Sequence, residues 1–121
     1  MRKLLITLTL LFSFNLMGGC IYFFYGDECP HCQDVKPYLA KIEKDYPDMK
    51  IHYFEVYHNY QNARLLQSFY ESYSIPSKGI PILFIGDRYL QGKNVIQRNL
   101  KPLLRKFKHA PCPQPSKIKK K

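Results

Sequence analysis

Acidic residues are scarce in this chain, nine Asp and Glu against 19 Lys and Arg, and tryptophan and internal repeats are absent. The acid deficit leaves a formal charge of +10 and a pI near 9.5, a surface that favours acidic partners. Nucleic acid is one such class, but no recognition motif accompanies the charge and the N-terminus points to export, so no nucleic-acid partner is expected. Lack of Trp does not impoverish the core: ten Tyr and eight Phe bring aromatic content to 15% and hydrophobic content to 45%. That composition excludes a low-complexity or disordered chain. A length of 121 residues suffices for one core and leaves nothing for a second domain, so a compact monomer is expected.

Residues 1–19 contain no acid at all. Arg2 and Lys3 form a basic start, residues 4–17 are a charge-free apolar run, and Gly18-Gly19-Cys20 follows. This is the layout of a secretory signal peptide. A membrane-spanning helix needs about 20 apolar residues, and extending the run that far would consume residues 21–25, which are needed as a core strand. A cleaved leader over residues 1–19 is therefore preferred to a retained anchor, and its loss removes two charges, from +10 to +8. Leu16-Met17-Gly18-Gly19-Cys20 is a weak lipobox, with Met17 where such boxes carry Leu. A lipid on Cys20 would leave almost no tether before the strand, so lipidation is the minor reading. The expected location is exported, periplasmic or otherwise extracytoplasmic, with membrane anchoring as the alternative.

Outside the cytoplasm the four cysteines are free to form disulfides. If Cys20 leaves with the leader, three remain, and the odd count favours one paired motif plus a lone Cys112. Residues 109–121, with Pro111, Pro113 and Pro115 followed by Lys117, Lys119, Lys120 and Lys121, read as a flexible basic tail. It is solubilising, or it touches an anionic membrane surface or a partner.

Between these ends, residues 21–25 are a continuous apolar and aromatic run closed by Gly26, the pattern of a strand buried on both faces. From Pro30 to about Tyr46 the spacing turns helical, with Val35, Leu39, Ile42 and Tyr46 on one side, and Pro47 stops the helix. Residues 51–57 predict a second strand, and residues 59–73 a second helix through Ala63, Leu66, Phe69 and Tyr70. After a loop over residues 75–79, residues 82–85 and 88–91 predict a hairpin turning at Gly86-Asp87. Gly92 ends it, and Asn94 is expected to cap a last helix through Val95, Leu100, Leu103, Leu104 and Phe107. The order β-α-β-α-β-β-α specifies an α/β fold, a mixed four-stranded sheet with helices on both faces, over residues 20–108.

Cys29-Pro30-His31-Cys32 falls between the first strand and the first helix. A helix N-terminus offers unpaired N–H groups and a positive dipole end, both of which stabilise a thiolate. Cys29 is thus the expected nucleophile and Cys32, about one turn inside and less exposed, the resolving thiol that attacks a mixed disulfide. Pro30 fits the first turn, where its missing N–H costs no bond. His31 adds a donor and, when protonated, a charge beside the sulfur, which tunes the pair toward a stronger oxidant. Asp27 and Glu28 oppose this, and screening by solvent leaves their effect moderating. Two plainer readings compete. A zinc site needs four ligands, and His52, His58, His109 and Cys112 lack a second closely spaced pair, so no metal is expected. An inert disulfide spanning three residues closes too short a loop to stabilise much. The remaining histidines are read as ordinary surface or core residues.

With these residues in place, the chain resembles the thioredoxin superfamily over about residues 21–107. Cys29-Pro30-His31-Cys32 carries the central dipeptide of periplasmic DsbA-group oxidases. Pro37 stands where a proline kinks the thioredoxin active-site helix, Gly79-Ile80-Pro81 is similar to the cis-proline loop, and Gly92 matches a common thioredoxin glycine. The resemblance implies a thioredoxin-like fold and a thiol-disulfide oxidoreductase whose only redox group is the Cys29–Cys32 disulfide, without further cofactor. It also implies a cis Ile80–Pro81 bond facing the cysteines, with the Ile80 backbone pairing to an extended protein substrate, and a separate redox partner that resets the pair. Three departures stand out. Phe23 occupies the place of the thioredoxins' buried Asp, Glu28 replaces the usual Trp, and residues 57–80 hold one helix, too little for the helical domain of DsbA-type enzymes. The direction of electron flow is left open between a disulfide oxidase or isomerase and a reductase, and the alternative functions are a non-catalytic peptide-binding module and, behind it, a zinc-stabilised domain.

Overall fold

A computed structural model describes residues 18–115 of the chain. All of the expected leader but Gly18 and Gly19, and residues 116–121 of the expected tail, lie outside the described residues. The elements are β1 (Cys20–Tyr25), α1 (Pro30–Asp45), β2 (Lys50–Glu55), α2 (Tyr60–Ser72), β3 (Ile82–Ile85), β4 (Arg88–Gln91) and α3 (Lys93–Lys106). This is the α/β order read from the periodicity, in one mixed sheet of strand order β2-β1-β3-β4. β1 runs parallel to β2 and antiparallel to β3, and β3 pairs antiparallel with β4.

The unbroken apolar runs of β1 and β3 follow from their central positions. Ile21, Phe23, Leu83 and Ile85 face a core completed by Val35, Leu39 and Ile42 of α1 and Ile96, Leu100 and Leu104 of α3. Phe24, Ile82 and Phe84 point the other way, onto Leu66, Phe69 and Tyr70 of α2. Alternate residues therefore leave the sheet on opposite sides, and both sides are dry. The second core is mostly aromatic, with the Phe69 ring stacked on Phe84 at 4.4 Å and the Phe24 ring on Phe54 at 4.9 Å.

Two boundaries differ from the sequence reading for local reasons. β2 ends at Glu55 rather than Tyr57. Val56 N–H still reaches Tyr25 O at 2.8 Å, after which the Glu55 carboxylate accepts from the N–H groups of Tyr57 and His58 and takes them out of the ladder. α3 is not capped by Asn94, which lies inside it. Its N-cap is Gly92, at φ 99°, and Gly92 O accepts the first helical bond from Ile96 N at 3.0 Å. An L side chain would be strained at that φ, which accounts for the glycine where hairpin turns into helix.

The cysteines pair differently from the sequence expectation. Cys20 is the first residue of β1 and is bonded to Cys112, 92 positions away. Cys112 is thus not a lone thiol, and Cys20 has no free sulfur to carry a lipid. Both cysteines belong to the domain, because the backbone after α3 returns to the start of β1. Pro113 is buried, so the segment through that residue packs against the fold instead of opening the tail at residue 109.

Candidate active site

Register decides what meets at the active end of the sheet. Phe24 pairs with Ile82 across the antiparallel β1–β3 ladder, so Ile80 and Pro81, just before β3, stand at the end where β1 gives way to Gly26 and the cysteines. The Ile80–Pro81 peptide bond is cis. Pro81 is buried and Ile80 half-buried. Two side chains that the sequence places only in a strand and a helix hold this loop. Gln91 Nε2 donates to Ser77 O at 2.9 Å and Gly79 O at 3.0 Å, and the Tyr70 hydroxyl donates to Gly79 O at 3.2 Å. Gly92 N–H closes onto Pro81 O at 2.8 Å.

On the cysteine side, Gly26 passes so close beneath the Tyr57 ring that a Cβ there would strike it. The turn that follows is tied at both ends. Gln33 Nε2 bonds Asp27 O at 3.1 Å and Gly26 O at 3.3 Å, and Asp27 N–H donates to Glu55 Oε2 at 3.0 Å. Cys29 is the N-cap of α1, with its Sγ accepting the Cys32 N–H at 3.1 Å, and it is joined to Cys32 as a disulfide. Its sulfur is thereby held against the orphan donors of the first turn, where charge on it is favoured. Cys29 is 7% exposed and Cys32 fully buried, so an incoming thiolate reaches Cys29 first. Pro30 and His31 are exposed on the outer side of the turn, and the first turn of α1 carries no acid.

His58, an ordinary surface or core residue on the sequence reading, bonds both oxygens of Glu28, at 2.8 and 2.9 Å. Glu28 directly precedes Cys29, so a cationic His58 offsets the carboxylate read as opposing thiolate formation. The Glu28 hydrogen bond and then its charge raise the His58 pKa above 6.5. Desolvation pushes the neighbouring Glu55 carboxyl upward, but the N–H groups of Asp27, His58 and Tyr57 and the His58 charge outweigh it, and the net shift is downward. Because folding raises the His58 value, the pair's small contribution is complete below pH 6.5 and is lost as pH rises through the folded value. An NMR titration is expected to place His58 above 6.5 in the native protein and to bring it back toward 6.5 in Glu28→Gln. An unchanged midpoint in that variant would remove Glu28 as the cause.

Phe23, where a buried acid would assist the resolving thiol, is fully buried and stacks on the Tyr25 ring at 5.9 Å. No carboxylate takes that place, and Lys36 lies over Tyr25, 3.9 Å from the ring centroid. The arrangement can accept a thiolate at Cys29 and expel Cys32 as the thiolate.

No family model and no curated protein sequence matches the chain. Solved structures do. Thioredoxin O2 from Arabidopsis thaliana in the oxidized state superposes at a TM-score of 0.55 with 16% identity, over 74% of this chain and 75% of that one. The oxidized form of mitochondrial thioredoxin 3 from Saccharomyces cerevisiae gives 0.54 with 18% identity, over 73% and 77%. These likenesses establish that the fold is thioredoxin-like.

Proposed function

We propose that this chain, thioredoxin-like in fold, is an exported thiol-disulfide oxidoreductase that donates disulfides to protein substrates through Cys29 and Cys32. The observation that carries the reading is Cys29 as both N-cap of α1 and partner of Cys32 in a disulfide. A sulfur in that position is stabilised as the thiolate, so it favours the reduced form of the pair and leaves readily when the mixed disulfide at Cys29 is passed on to the substrate. Exchange begins with attack by a substrate thiolate on Cys29. The mixed disulfide forms there and Cys32 leaves as the thiolate. The substrate's second thiolate then attacks the substrate's own sulfur in that bond and expels Cys29, whereas in the reverse direction Cys32 attacks Cys29 and releases the substrate. Two electrons and two protons pass from substrate dithiol to the protein, and a redox partner reoxidises it.

Export is supported by the basic start and apolar run of residues 2–17 and by the second disulfide, which reducing compartments do not keep. The oxidising direction is supported by His31 in the motif and by the contact of His58 with Glu28, which offsets the carboxylate when His58 is protonated. The test is equilibration with glutathione, with the Cys29–Cys32 pair followed by mass mapping so that the other bridge does not contribute. The expected potential is more oxidising than the roughly −270 mV of a reducing thioredoxin. A value at or below that level would turn the proposal into a reductase.

A further inference from the structure

The Cys20–Cys112 bridge sits at the far end of β1 from Cys29, and nothing in thiol exchange at the Cys29 end uses it. Its surroundings are unlike those of a plain structural disulfide. On β2, Lys50 lies opposite Cys20 and His52 lies opposite Tyr22. His52 is therefore two residues along on the same face, its ring edge-to-face with Tyr22 at 5.6 Å. A ring nitrogen of His52 and the two sulfurs all lie within 4.8 Å of one another. The three border a cavity of about 530 Å³, lined also by Asp48 and His109, so the group is reachable from solvent.

We propose that, when reduced, Cys20 and Cys112 join His52 as a zinc site, so that this second cysteine pair alternates between a disulfide and a metal thiolate. Two thiolates and one imidazole are a donor set that Zn²⁺ takes, with the fourth position open to the cavity. Zn–S of about 2.3 Å and Zn–N of about 2.0 Å set ligand separations of roughly 3.5–3.8 Å in a tetrahedron. Cleaving the S–S bond lets the sulfurs open to that spacing, and His52 already stands close to it. The chemistry balances in two steps. A dithiol reductant delivers two electrons and two protons to the bridge and is itself oxidised to a disulfide. Zn²⁺ then displaces the two thiol protons to solvent, with neutral His52 completing the set. A disulfide oxidant then takes the two electrons, being reduced to its dithiol, the Cys20–Cys112 bridge re-forms and the metal is released.

The test uses the full chain carrying Cys29→Ser and Cys32→Ser, so that Cys20 and Cys112 are its only thiols. Reduced with a phosphine and titrated with Co²⁺, it is expected to bind one ion per chain. Thiolate charge-transfer and tetrahedral d–d bands should appear and vanish on adding Zn²⁺, and the oxidised protein should show neither. His52→Ala is expected to weaken Zn²⁺ binding about tenfold or more. Absent thiolate bands in the reduced protein, or equal affinity with and without His52, would overturn the site. If the reduced chain unfolds, recovery of its far-ultraviolet dichroism on adding Zn²⁺, dependent on His52, supports the proposal, and failure to recover overturns it.

Discussion

Cys32→Ser is expected to leave Cys29 caught in mixed disulfides with its substrates, visible as adducts that dissolve on adding a reductant. Without Cys32 the sulfur on Cys29 cannot return to the intramolecular bridge, so the intermediate persists until another thiol attacks it. Cys29→Ser should form no such adducts and should lower the rate of disulfide transfer to a dithiol peptide by roughly a thousandfold or more, because the attacked sulfur is gone. The asymmetry between the two variants follows from exposure, with Cys29 at 7% and Cys32 at 0%. Equal trapping by both would mean that both sulfurs are open to attack. A lysate without Cys29 adducts in the Cys32→Ser protein would favour a peptide-binding module on the same fold.

The second large effect concerns stability. Opening the Cys20–Cys112 bridge by Cys20→Ser and Cys112→Ser together is expected to cost about 3–5 kcal/mol, since a closed loop near 100 residues restrains the unfolded chain strongly. Half of that would already be a large fraction of a domain's ordinary stability. Urea unfolding of the oxidised parent and the double variant measures it. A loss below about 1 kcal/mol would mean that packing alone holds the segment through Pro113 onto β1. The Cys29–Cys32 bridge, separated by three positions, closes only a short loop and should matter far less to stability.

Features with a local signature were legible in the sequence. The run over residues 21–25, the 3.6-residue spacing of Val35, Leu39 and Ile42, and the Gly-Ile-Pro before a short strand each declare themselves within a few residues, and each element stands where the pattern placed it. What stayed hidden is long-range. Cys20 and Cys112 are 92 positions apart, and next to an apolar leader Cys20 reads as the end of a cleavage signal rather than as the first residue of a strand. His58 and Glu28 are separated by 30 residues, and only the parallel β1–β2 pairing brings their loops together. Gln91 looked like a hairpin end, and its work on Ser77 and Gly79 needs the loop's carbonyls turned toward it. The Asn94 cap failed because Asn is a good cap residue in general, whereas the hairpin delivers the chain into α3 through Gly92 at φ 99°. Paired cysteines, an ion pair and a loop brace are all facts about juxtaposition, to which periodicity is blind.

Joining Cys20 to Cys112 also changes the connectivity of the molecule. The domain between them is a covalent ring, and a protease that cuts once at the exposed Ser77-Lys78 loop opens the ring without dividing it. The nicked protein keeps its mass on a non-reducing gel and separates into two pieces only after reduction. Within the fold, the two pieces share the central sheet, since β1 and β2 fall on one side of the cut and β3 and β4 on the other. Once Cys20 and Cys112 are reduced, the two pieces of a nicked chain are therefore held together by the β1–β3 ladder and the packing around it alone.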